Sequence, residues 1–274
     1  MAKITNPVRF SDQYGFDPKL LKRAGVLNPT LNVDTRLFID PLLLSASRHH
    51  EIRTNAVATY DDHFTTVIKL LRASTKVGDV AWRNASRYLS FPEIKWTCLG
   101  YGAHSVSGSG STPGRIIETA KQIVDLGVDD PKSFVAMALF EEGFGPDNIS
   151  DMTANVILGD LLRFNARVLK RLPVKSEPFT LQLRNGKTYH ADLPLNPFVS
   201  HHQPVILVLS DVLRDLPIVK DWSDVAQAAS QNEQLRQRVN YQIADLWAAK
   251  TLKDKAEVRR WALSGKRSSV NFWK

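Results

Sequence analysis

The stretch "FTLQLRNGKTYHADL", residues 179–193, decides how the chain is to be read. Apolar and polar residues alternate on both sides of Asn185-Gly186, the period of a strand with one covered face. Asn-Gly suits a two-residue hairpin turn, because both positions tolerate the positive φ that turn requires. A hairpin is therefore expected. Downstream, "PVILVLSDVL" (204–213) is continuously apolar, the composition of a strand buried on both faces. It is expected at the centre of the same sheet.

Upstream of the hairpin the period is helical. In "NAVATYDDHFTTVIKLLRAS" (55–74) Val57, Tyr60, Phe64, Val67, Ile68 and Leu71 recur at three and four, the spacing of one helix face. "GDVAWRNASRYLSF" (78–91) reads as a second helix stopped by Pro92. "GRIIETAKQIVDLG" (114–127) is a third, with Thr112 as N-cap and Pro113 at its first position. "DPKSFVAMALFEEG" (130–143) is short, and "DNISDMTANVILGDLLRFNARVLKRL" (147–172) reads as one long helix. In "TRLFIDPLLL" (35–44) Pro41 holds Asp40 extended, so "LFID" is a short strand or loop and "PLLLSA" opens a helix. The expected class is α+β: a mainly helical first two-thirds, a small sheet with the hairpin 179–193 and the buried strand 204–213, and a long C-terminal helix. Two regions are expected, an α+β body over 1–222 and a basic helix and tail over 223–274 packed on it.

The chain has 274 residues, enough to bury a core without crosslinks. Its one cysteine, Cys98, can build neither a disulfide framework nor a cysteine-based zinc site. The opening "MAKITNPVRFSDQYG" lacks the apolar core of a signal peptide, and no run approaches the length of a membrane span. A cytoplasmic protein with no membrane contact is expected. The net charge of +8 is concentrated: residues 231–274 hold ten Lys or Arg against four Asp or Glu. The body is nearly neutral, so attraction to an anionic partner such as nucleic acid is expected from the last helix and tail.

The segment that bears on chemistry is "EEGFGPDNISDMTANVI" (141–157). Glu141 and Glu142 end one helix, and Asp147 and Asp151 begin the next across the tight turn Gly143-Phe144-Gly145-Pro146. Asp147, Asp151 and Asn155 stand at i, i+4 and i+8, one stripe of a helix, while Ile149, Met152, Val156 and Leu161 fall elsewhere. Converging carboxylates from two elements suit Mg²⁺, which takes one or two of them together with substrate phosphate. The competing reading is a well-capped helix start, where Asp and Ser satisfy free amides and oppose the helix dipole. On spacing alone capping is the stronger reading.

Together, "NVDTRLFIDPLLL" (32–44), "EEGFGPDNISDMTANVI" and "LPLNPF" (193–198) resemble a family of uncharacterised bacterial proteins of about this length. That family carries a DT-LFIDP-LL opening, a central G-GPD-ISDM-N-I block and a later LP-NP. The resemblance implies a setting among mobile elements or phage defence, with a partner protein from the same operon. It marks Asp40, Gly145, Pro146, Asp147, Ser150, Asp151, Asn155, Asn196 and Pro197 as motif positions and assigns no role to any.

Other motifs are weaker. A nuclease of the PD-(D/E)xK type needs a strand with Asp or Glu two residues before Lys, and "LQLRNGK", "HADL" and "LVLSD" do not supply it. The loop "GYGAHSVSGSGSTPGR" (100–115) meets a helix N-terminus, where amides can hold phosphate with Arg115 and His104 as helpers, yet it lacks the GK[ST] of a P-loop. The adjacent pairs His49-His50 and His201-His202 point apart and are poor chelators. In the last helix Leu235, Val239, Ile243, Leu246 and Trp247 form an apolar stripe; Lys250, Lys253, Lys255, Arg259 and Arg260 lie off it.

Two functional readings follow. In one, a Mg²⁺-dependent phosphodiesterase or nuclease acts on DNA or RNA as an antiviral defence effector; Asp147 and Asp151, with Glu142 or Asp40, hold the metal, and the basic tail holds the backbone. In the other, a non-catalytic subunit binds nucleic acid or a partner protein, and "GPDNISDM" is only a helix junction.

Overall fold

The protein is described from a computed structural model at residues 6–100, 113–125, 131, 134, 146–183 and 186–215. The chain groups into two compact units. Unit 1 comprises Met1–Tyr60, Phe91–Gly108 and Asp147–Leu216; unit 2 comprises Asp61–Ser90, Ser109–Pro146 and Pro217–Lys274. The C-terminal helix expected over 223–263, and with it Lys250, Lys253, Lys255, Arg259 and Arg260, lies outside the described residues, as do His104 and Glu142.

Unit 1 opens with two short helices, α1 (Phe10–Gln13) and α2 (Lys19–Ala24). Gly25 ends α2 in the left-handed region, the usual work of a glycine past a helix. Strand β1 (Leu37–Ile39) follows. As Pro41 requires, Asp40 is extended, and its carboxylate accepts the N–H of Leu42 at 2.9 Å to cap a 3-10 helix, Pro41–Ala46. A π-helical turn, Glu51–Ala56, runs into α3 (Val57–Ala73), close to the helix expected at 55–74.

In unit 2, α4 (Val80–Tyr88) is capped by Asp79, which accepts the N–H of Trp82 at 2.7 Å. Helix α5 (Pro113–Asp125) begins on its proline. Phe64, Val67 and Leu71 from α3, with Ile117 and Ala120 from α5, are buried, and the Phe64 ring lies 4.7 Å from that of Phe134.

The single helix expected over 147–172 is two: α6 (Pro146–Val156) and α7 (Leu158–Leu169). At Ile157 the backbone leaves helical values, with ψ 14°. Two side chains just before the break bond back onto the preceding turn, Thr153 Oγ1 to Ile149 O at 2.7 Å and Asn155 Nδ2 to Asp151 O at 2.8 Å. Such back-bonding competes with the helical ladder and bends it.

The hairpin forms where alternation predicts it. Strand β2 (Glu177–Gln182) pairs antiparallel with β3 (Thr188–Leu193), Phe179 facing Ala191 and Leu181 facing Tyr189. Two smaller pairs complete the strands among the described residues: β4 (Leu195–Asn196) with β5 (Gln203–Pro204), and β1 with β6 (Leu213–Asp215).

The expectation for 204–213 is half right. Val205 to Leu209 are buried, 0–2% exposed, as the apolar run requires. They are not the central strand of the hairpin's sheet. Their backbone is satisfied piecemeal instead: Val205 N–H by Pro194 O, Ile206 N–H by Trp96 O, and Val208 O by Leu27 N–H. Leu207 is held by a side chain. Asn165 of α7 accepts its N–H at 2.8 Å and donates to its carbonyl at 2.9 Å, so one buried amide takes the place of a neighbouring strand. Full burial demands that every backbone group be paired, but not that a ladder do it.

Candidate functional site

Helix α6 is buried along most of its length, and three of its polar side chains are spent on backbone from other segments. Ser150 Oγ accepts the N–H of Ile39 at 3.0 Å. Asp151 Oδ1 accepts the N–H of Ile94 at 2.9 Å, and Asn155 Nδ2 donates to Pro92 O at 2.7 Å. The stripe read from the sequence is therefore real at Asp151 and Asn155. It is the side of α6 that holds the segment 92–94.

Two further carboxylates arrive from distant parts of the chain. The clamp on Ile94 and Pro92 brings Glu93 beside the helix. Thr35 pairs with 98–100, its N–H on Cys98 O at 2.8 Å and its carbonyl on Gly100 N–H at 3.0 Å, which sets Asp34 against Gly100. A Cβ at Gly100 would stand 3.5 Å from Asp147 Oδ1 and 3.5 Å from Asp34 Oδ2. Gly100 also sits at φ 142°, which side chains rarely adopt. A side chain here would stand in contact with both oxygens.

Crowding shows in the electrostatics. Burial, the largest cause, raises the carboxyl of Asp151; the Ile94 N–H opposes this, and Asp147, Glu93 and Asp34 add to it, so it is pushed up to about 7. Burial and then Glu93 raise Asp147 as well. Lys95 Nζ lies 3.4 Å from Glu93. All the donors are carboxylate oxygens, a hard set that fits Mg²⁺, Mn²⁺ or Ca²⁺ better than a softer metal. Among the described residues, no three of His, Cys, Asp or Glu already stand in metal-holding geometry. A cation here would rest on one or two of these carboxylates and take its remaining ligands from water or substrate.

The other candidates are placed as follows. Asp40 is 1% exposed; Leu42 N–H binds one oxygen and Arg214 Nε the other at 2.6 Å, so its carboxylate is engaged in tying β1 to β6. Arg115 lies in the first turn of α5. His202 reaches Glu177 at 3.0 Å, apart from His201. Cys98 is buried and its thiol is pushed up to about 12, which leaves it a poor nucleophile. Sequence reasoning missed Asp34 and Glu93. Asp34 lies inside the quoted block "NVDTRLFIDP", a usable signal; for Glu93 no local pattern existed.

A family model described as a domain of unknown function, DUF8370, matches residues 15–220. The chain belongs to that family. The DUF8370 match spans Asp34, Glu93, Gly100, Asp147 and Asp151, so the whole carboxylate cluster lies within the family domain. No curated protein and no solved structure matches the chain. Among the described residues no helix is long and apolar enough to cross a membrane.

Proposed function

We propose that the carboxylate cluster of unit 1 is a divalent-cation site serving phosphodiester hydrolysis in nucleic acid, with antiviral defence as its setting. The observation that carries this reading is that Asp34 and Asp147 both come up to Gly100, while Asp151 feels the charge of Asp147, Glu93 and Asp34. Like charges held together in a partly buried place oppose folding, and a bound cation is what offsets them. Asp147 and Asp34, which flank the space over Gly100, would hold Mg²⁺. When bound it polarises a phosphate oxygen and lowers the pKa of water. Without a cation Asp151 stands at about 7, and Mg²⁺ on Asp147 and Asp34 would lower it, since their charge is part of what raises it. The basic residues of 231–274, Arg259 and Arg260 among them, would hold the nucleic-acid backbone.

The clamps made by Ser150, Asp151 and Asn155 favour a second reading, a non-catalytic subunit binding nucleic acid or a partner protein, in which the same motif serves only to join α6 to its neighbours. Labelled single- and double-stranded DNA and RNA, incubated with the purified protein with and without Mg²⁺ or Mn²⁺, separate the two. Metal-dependent cleavage abolished in Asp147→Asn is expected. Salt-sensitive binding with no cleavage under any metal leaves the subunit reading, and neither activity removes both the hydrolase and a nucleic-acid-binding subunit, leaving a partner protein.

A further inference from the structure

His49 meets four charged groups and an aromatic ring away from the carboxylate cluster. Its Nδ1 lies 3.0 Å from Arg167 Nη2, and its ring stands edge-to-face on Phe164 at 5.0 Å. A guanidinium can only donate, so Nδ1 must accept and the imidazole proton sits on Nε2. That makes His49 neutral. Arg167 continues to Glu51, Nε to Oε1 at 2.7 Å, and its guanidinium carbon lies 5.3 Å above the Phe164 ring. The chain His49–Arg167–Glu51 thus fastens α7 to the first residue of the π-helical turn.

Asp211 pins the backbone on the other side. It accepts the N–H of Arg48 at 3.0 Å and the hydroxyl of Ser47 at 3.2 Å, and Ser47 Oγ in turn accepts the N–H of His49 at 3.2 Å. His49 O accepts the amides of Ile52 and Arg53, the start of the π-helical turn. The backbone of His49 is therefore fixed to that turn, and its ring is held by Arg167.

We propose that His49 is a proton-operated latch: neutral, it accepts Arg167 and holds α7 to the π-helical turn Glu51–Ala56, and protonation breaks that hydrogen bond and loosens the turn. An imidazolium would set two N–H donors of like charge against each other at 3.0 Å. The groups facing His49 pull both ways. Arg167 of α7 and Arg48 of its own segment disfavour the charge; Glu51 of its own segment and Asp211 of the turn Ser210–Val212 favour it. Burial is the largest cause, and with it the balance lowers His49 below the ordinary 6.5. The unfolded chain binds this proton first as pH falls. The stability concerned is present above 6.5 and is lost as pH falls through the lowered native value. π-Helical turns are rare overall and frequent at functional sites, which fits a device placed there.

The test is imidazole NMR with amide hydrogen exchange on the full chain. His49 is expected as the Nε2–H tautomer at neutral pH, titrating below 6.5. Protection of amides 52–56, corrected for the intrinsic rate, is expected to fall by up to about tenfold near pH 5.5, the proton-occupancy ratio of an open state with an ordinary histidine. His49→Asn keeps an acceptor on Cγ for Arg167, in the place of Nδ1, without titrating, and is expected to remove that pH dependence. Arg167→Met is a second variant, in which His49 should titrate closer to 6.5 than in the parent. An Nδ1–H tautomer, titration at or above 6.5, or an unchanged pH dependence in His49→Asn would overturn the proposal.

Discussion

Asp151→Asn should make this protein more stable at alkaline pH. The carboxyl stands at about 7 where its ordinary value is 3.8, so the native state binds its proton more tightly than the unfolded chain does. Below 3.8 both states are protonated and nothing is lost. As pH rises from there to about 7, the unfolded state ionises freely and the native state resists. At about 1.4 kcal/mol per pH unit, the native protein forgoes about 4 kcal/mol by the time the group is ionised in both states. Asparagine keeps an oxygen for Ile94 N–H and carries no charge among Asp147, Glu93 and Asp34. Urea unfolding of both proteins between about pH 5 and pH 8.5, with linear extrapolation, reads the difference. The variant should gain as pH rises, approaching about 4 kcal/mol near pH 8 and little near pH 4. Saturating Mg²⁺ should stabilise the parent and narrow the gap, since a ligand of the native state adds about 2.7 kcal/mol at a hundred times its Kd. A variant less stable than the parent at pH 8, or a difference that does not change with pH, would refute the crowded-carboxylate reasoning.

Three more outcomes are expected. Gly100→Ala should lower Mg²⁺ affinity, measured by calorimetry, because its Cβ would enter the space between Asp147 and Asp34 at a φ that alanine rarely adopts. Asn165→Ala should cost about 3 kcal/mol or more in urea unfolding, because it strands the buried N–H and carbonyl of Leu207. Asp40→Ala should cost about 3 kcal/mol, because it removes the buried carboxylate that binds both the Leu42 amide and Arg214 Nε.

The local elements were legible. Asn185-Gly186 and its flanking alternation announce the hairpin, three-four spacing announces α3, and Asp40-Pro41 announces an extended residue that caps the next turn. Where a reading failed, the missing information was nonlocal. The run 205–209 looks like a central strand because both its faces are covered, and burial alone creates that pattern. What pairs its backbone cannot be read from it: Pro194, Trp96 and Leu27 donate or accept one group each, and Asn165 supplies an amide from a helix. The break at Ile157 is a milder case, since Thr153 and Asn155 are visible in the sequence but their bonding back is one option among several.

The candidate site divides in the same way. That Asp147 and Asp151 share a helix face follows from 3.6 residues per turn and nothing else. That Glu93 lies beside them, and that Asp34 flanks the same space at Gly100, depends on Ile94 N–H finding Asp151 and Thr35 finding residues 98–100. A periodic pattern records the surroundings of one element along its own axis. Which distant segments complete each other's hydrogen bonds is settled only when the whole chain is packed, and those bonds assembled the carboxylates.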